Sequence, residues 1–153
     1  MTTTEGRSTP TEVLLVEDNP GDVRLTREVF RDAEVPIHLH VASDGVEAMA
    51  FLRKEGAYAG VPRPDFILLD LNLPKIDGRE LLAHMKMDEG LKSIPVVILT
   101  TSEAEADIVR SYQLQASAYL SKPFQLAAFE SLVKSIGNFW LTKVKYPHKG
   151  RAG

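Results

Sequence analysis

A chain of 153 residues with 44% hydrophobic and 25% charged side chains has the size and balance of one domain built on a single sizeable core. A net charge of −3 supplies no bulk attraction to nucleic acid, and the absence of cysteine excludes disulfides and thiolate metal sites and fits a reducing compartment. No apolar run has the length of a membrane span or the setting of a signal peptide, so the expectation is a cytoplasmic protein with neither a membrane nor a nucleic-acid partner.

Strand-like and helix-like segments alternate about five times, the pattern of a doubly wound α/β domain. Residues 1–10 are polar and Thr-rich and read as a disordered tail, residues 11–141 as the folded domain, and residues 142–153 as a C-terminal tail. The run Val13-Leu14-Leu15-Val16 predicts a first strand reaching Glu17. Asn19-Pro20-Gly21-Asp22 then supplies turn chemistry, and Val23, Leu25, Val29, Phe30 and Ala33 mark a helix ending before Pro36. Residues 37–42 alternate as a strand with one more polar face, on which His38 and His40 read as solvated. Ser43-Asp44-Gly45 opens a second helix through Ala48, Phe51 and Leu52, and a loop follows over 56–64. Phe66-Ile67-Leu68-Leu69 is a third strand ending at Asp70, and Asp77-Gly78 begins a helix carrying Leu81, Leu82, Met85 and Met87. Residues 95–100 form a fourth strand, 103–114 a less apolar fourth helix, 116–121 a fifth strand, and the last helix starts near Gln125.

Short apolar runs of this kind are strands buried on both faces, and the carboxyl ends of such strands are where open α/β sheets bind ligands. Here those ends carry Glu17, Asp18 and Asp70. Three carboxylates in one crevice repel one another unless a cation neutralises them, which points to a hard, oxygen-ligated ion such as Mg²⁺. No Ser, His or Cys stands near Asp70 in a triad-like arrangement, so nucleophilic work would fall to a carboxylate, and a carboxylate that attacks phosphorus gives an aspartyl phosphate. Phosphoryl transfer asks mainly for positioning and charge neutralisation. Lys122 after the fifth strand and Thr100 after the fourth offer a cation and a hydroxyl. A strand-end acid alone is as often a helix cap; it is the company of Thr100 and Lys122 that favours a site. A flavin- or nucleotide-binding domain on the same fold would need a phosphate-cradling turn after the first strand, whereas Glu17-Asp18-Asn19-Pro20 repels phosphate. A phosphohydrolase would need a second acid two residues beyond Asp70, where Asn72 stands.

The motifs Leu15-Val16-Glu17-Asp18, Leu69-Asp70-Leu71-Asn72-Leu73-Pro74, Ile76-Asp77-Gly78, Leu99-Thr100-Thr101-Ser102 and Ser121-Lys122-Pro123-Phe124 are individually weak and, in this order and spacing, specific. Over roughly residues 12–141 the chain resembles response-regulator receiver domains of two-component signalling. The resemblance implies a flavodoxin-like, five-stranded parallel sheet in the order 2-1-3-4-5. It further implies that Asp70 is the phosphoacceptor and that Mg²⁺ is held by Asp18, Asp70 and the backbone carbonyl of Asn72, with Glu17 acting through a water. Thr100 and Lys122 would contact the phosphoryl group, and Thr100 and Tyr119 would form the switch. Glu17 stands where the family most often has an aspartate. Such a protein is a signalling module rather than an enzyme, catalysing only its own phosphorylation and the slow loss of the group.

The loop 56–64, the segment 87–94 and the ending Phe139-Trp140-Leu141 resemble, more narrowly, single-domain regulators that serve bacterial phytochrome kinases. The implied partner is a sensor histidine kinase of bacteriophytochrome type, with output through protein contact. In the last helix Leu126, Phe129, Val133, Ile136 and Trp140 follow helical spacing, with Leu132 and Phe139 on one flank and Leu141 beyond. That stripe either caps the core or forms a partner surface. The working expectation is a homodimer through the fourth helix, fifth strand and last helix, using Leu132, Phe139, Trp140 and Leu141.

Overall fold

The computed structural model describes residues 10–33, 36–70, 78–100, 118–122 and 125–136, the side chains of 100, 121 and 132–136 excepted. The five predicted strands pair in one parallel sheet: β1 (Thr11–Val16), β2 (Ile37–Ala42), β3 (Phe66–Asp70), β4 (Val96–Thr100) and β5 (Ala118–Ser121), in the spatial order β2-β1-β3-β4-β5. The expected fold class and strand order are those observed.

Alternation along the strands divides the core in two. Leu14, Val16, Ile67, Leu69, Val96 and Ile98 face one side, where they meet helices α2 (Gly45–Leu52) and α3 (Gly78–Lys86) through Ala48, Phe51, Leu81 and Met85. Val13, Leu15, Phe66, Leu68, Val97 and Leu99 face the other, against helix α1 (Pro20–Arg31) and the last helix, Leu126–Ile136. Phe129 of the last helix is fully buried, and its ring meets the edges of Phe30 at 5.0 Å and Phe66 at 6.1 Å. Burial on both faces is why these strands are uninterrupted apolar runs.

Helix starts follow from their caps. Asn19 caps α1, its Oδ1 accepting from the Asp22 amide at 3.0 Å, with Pro20 at the first helical position. Asp44 caps α2 through the Glu47 amide, while the Glu47 carboxylate reaches back to the Ser43 amide. The loop 56–64 is not structureless: Gly56–Tyr58 forms a 3-10 turn, and the Tyr58 hydroxyl donates to Glu47. The Ser43 amide first, and the Tyr58 hydroxyl after it, hold the Glu47 carboxyl below its usual range against the opposing effect of burial.

Four expectations change. Leu25 is 49% exposed, and Thr26 takes the buried position on α1, its hydroxyl satisfied by the Asp22 carbonyl at 2.9 Å. Met87 lies one residue past the end of α3 and is 86% exposed. The strand predicted to reach Glu17 ends at Val16, although the Glu17 amide still donates to the Ala42 carbonyl. His38 and His40 are not simply solvated: both converge on Glu12 of the neighbouring strand, His40 Nε2 at 2.7 Å and His38 Nδ1 at 3.3 Å. No helix among the described residues is long and apolar enough to cross a membrane. The tails, the predicted helix 103–114, and Phe139, Trp140 and Leu141 lie outside the described residues; Leu132 falls within the last helix without its side chain being described.

Candidate functional site

The sheet register gathers the predicted residues at one edge. Val16 pairs with Leu69, so Glu17 follows beside Asp70; Asp70 pairs with Leu99, and Thr100 with Ser121, immediately before Lys122. Glu17 and Asp70 are buried at the ends of β1 and β3, while Asp18 is exposed at the rim. Glu17, Asp18 and Asp70 each offer a carboxylate oxygen, and the three oxygens lie within 4.8 Å of one another.

Lys122 closes the cluster. Its ammonium donates to Glu17 Oε1 at 3.0 Å, to Asp70 Oδ2 at 3.3 Å and to Asp22 Oδ2 at 2.9 Å. The second Glu17 oxygen accepts from the Asn19 amide at 3.2 Å, which ties the acid to the cap of α1. Burial pushes the Glu17 carboxyl up to about 7, the Lys122 bond opposing that rise and the Asp70 charge reinforcing it. Burial works against the charged form of Lys122, but the bonds to Asp22 and Glu17 and the charge of Asp70 outweigh it, so the ammonium holds its proton above the usual lysine range.

The donor set is therefore all oxygen, three carboxylates of which two are buried, with a single ammonium inserted among them. Such a set suits a hard divalent cation and does not suit a soft one. Burial first, and the neighbouring Asp70 charge after it, hold Glu17 partly protonated near neutrality against the Lys122 bond. Sequence reasoning found Glu17, Asp18, Asp70 and Lys122, and the structure brings them together. Thr100 ends β4 at the same edge, its side chain outside the description, and Asn72 lies outside the described residues. Tyr119 is half-buried on β5 and packs against the α2–α3 side of the core. Asp22 was missed as a site residue because it reads as turn chemistry. The available signal was its place in the first turn of α1, five residues beyond Glu17 and therefore near the same strand end.

Residues 13–134 match the family described as the response regulator receiver domain. Response regulator Rcp1 of Synechocystis sp. is 48% identical over 138 residues, 90% of this chain and 94% of that protein. A crystal structure of response regulator Rcp1 in its Mn²⁺-bound form superposes with a TM-score of 0.69, covering 86% of this chain and 95% of that one. The bacteriophytochrome response regulator AtBRR is 40% identical with a TM-score of 0.81, covering 87% and 96%. The phosphorylated cyanobacterial phytochrome response regulator RcpA is 50% identical with a TM-score of 0.71, covering 88% and 96%.

Proposed function

This chain belongs to the response regulator receiver domain family, and on that premise we propose that Asp70 is the aspartate that takes the phosphoryl group. A receiver of this family is a phosphoaspartate-forming signalling module rather than a classical enzyme, and its donor is a histidine kinase. The observation that carries the assignment is the Lys122 ammonium bonded to a buried Asp70 within the acidic cluster. Asp70 presents a carboxylate oxygen as nucleophile. The new P–O bond forms as the bond from phosphorus to the donor's imidazole nitrogen breaks, and the leaving nitrogen keeps that electron pair.

Mg²⁺ is the proposed resident ion, held by Asp18, Asp70 and the Asn72 carbonyl, with Glu17 acting through a water. When bound, it neutralises the phosphoryl oxygens and the carboxylates around them. Lys122 lies within reach of an oxygen on Asp70 and neutralises part of the same charge; Thr100 is assigned the hydroxyl contact on the other side. Thr100 and Tyr119 are then the switch pair, biasing the surface beside β4 and β5. The receiver proper is assigned to residues 11–141, between the two tails. The kinase is proposed to be a phytochrome in the cytoplasm, in keeping with the names of the relatives. The output is proposed to be protein contact, with a homodimer through the predicted fourth helix, β5 and the last helix and its flank at Leu132, Phe139, Trp140 and Leu141.

Incubation with a small acyl phosphate, followed by intact-mass measurement, tests the assignment. The wild-type protein gains a single base-labile phosphoryl group that requires Mg²⁺, and Asp70→Asn gains none while keeping its far-UV spectrum. An adduct of equal yield on Asp70→Asn would refute the choice of residue.

A further inference from the structure

An ammonium has three protons, and Lys122 directs them to three carboxylates. Two of these, Glu17 and Asp70, belong to the acidic triad; the third, Asp22, does not, and it makes the shortest contact at 2.9 Å. A divalent cation at the triad draws on the same carboxylates that Lys122 now bonds. An ammonium so near competes for their lone pairs and repels the cation. For both positive groups to serve one site, the ammonium needs an anion that lies beside Asp70 without being a ligand.

We propose that Asp22 is that anion, a positioning residue that draws the Lys122 ammonium off Glu17 and Asp70 and so leaves the triad open to a divalent cation. This rests on the reading of the triad and Asp70 given above and adds the residue that governs Lys122. The setting of Asp22 suits the role. Its backbone is fixed on both sides, the amide bonded to Asn19 Oδ1 and the carbonyl to the Thr26 hydroxyl. The first turn of α1 favours a negative charge at this point. The side chain is 36% exposed against 1% for Glu17, so Asp22 can take or yield the ammonium while keeping part of its hydration. Glu17, by contrast, has only protein partners to exchange.

The test is a Mg²⁺ titration at constant ionic strength, followed by amide chemical shifts, on wild type, Asp22→Asn, Asp22→Glu, Lys122→Ala and the double variant Asp22→Asn/Lys122→Ala. Asp22→Asn is expected to weaken Mg²⁺ binding roughly three- to five-fold, the scale of a partly exposed ion pair. Asp22→Glu restores most of the loss. In the Lys122→Ala background the same substitution changes nothing, because the ammonium it governs is gone. Equal loss in both backgrounds would make Asp22 a mere distant charge and overturn the proposal, as would unchanged affinity in Asp22→Asn. If the wild type binds no Mg²⁺, the reading of the triad fails and this proposal with it; if the wild type binds and the variants match it, this proposal alone fails.

Discussion

Glu17→Gln isolates the buried carboxylate at the end of β1. The Glu17 carboxyl is moved from its ordinary 4.5 to about 7, chiefly by burial. Below pH 4.5 the folded and unfolded chains both hold this proton. Between 4.5 and 7 the unfolded chain has released it and the folded one has not, so the contribution of Glu17 to stability falls as pH rises and is lost above 7. At about 1.4 kcal/mol per pH unit the whole change amounts to at most about 3.5 kcal/mol. Glutamine preserves the shape and an acceptor for Lys122 but has nothing to ionise. The stability of Glu17→Gln relative to wild type, from urea unfolding with a chelator present, should therefore climb between pH 4.5 and 8, by at most that amount. Taking the difference cancels the histidines and the other groups that do not interact with Glu17. Saturating Mg²⁺ should reverse the order at pH 8, since the wild type then has a cation for the charge that the variant lacks. A difference that stays flat from pH 5 to 8, or that moves in favour of the wild type without metal, would refute the account of Glu17.

Lys122→Ala removes the competitor for the triad carboxylates as well as the proposed contact with the phosphoryl group. Its Mg²⁺ affinity should match or exceed that of wild type in a chemical-shift titration, while the shifts induced by beryllofluoride at β4 and β5 are lost. Without divalent ions the same variant should be less stable by roughly 1–3 kcal/mol in urea unfolding, because Glu17 and Asp70 then lose a charged hydrogen-bond donor. Phe129→Ala empties the contact among the last helix, α1 and β3 and should lower unfolding free energy by about 3–5 kcal/mol, read from the urea midpoint; the fully buried ring and its edge contacts with Phe30 and Phe66 set that scale.

The strands were legible because their chemistry is local. Parallel strands covered on both faces must be apolar throughout, so 13–16, 66–69 and 96–99 announce themselves, and the first polar residue after each run, Glu17, Asp70 and Thr100, marks the edge where ligands bind. The helix stripes were less secure at their ends. Leu25 and Met87 fit the spacing by count, yet one sits on the outer flank of α1 and the other beyond the last turn of α3, and periodicity alone does not say where a helix stops. Asp22 was illegible for a different reason. Its partner lies 100 residues away, and nothing near either residue distinguishes an acid in a first helical turn from an ordinary dipole partner. Glu12 with His38 and His40 is similar: the cluster exists because β1 and β2 pair in register, with Glu12 opposite His38, which neither strand states alone.

Charge balance explains why these pieces belong to one device. With Glu17, Asp18, Asp22 and Asp70 all ionised, four negative charges among the described residues meet the positive charge of Lys122. The proton retained by Glu17 near neutrality relieves part of the excess. A divalent cation can do so more fully, but proton, ammonium and cation all draw on the same Glu17 and Asp70 carboxylates. On the assignment proposed for Asp70, an arriving phosphoryl group adds negative charge at the one carboxylate that Lys122 holds most loosely, at 3.3 Å. The ammonium can follow that charge while Glu17 and Asp22 still flank it, so the change in bonding is an exchange of partners within a site already built for positive occupants. A site with its charges matched at rest would have to break an ion pair to respond; this one, rich in carboxylates, responds by redistributing the ammonium among acids it already touches.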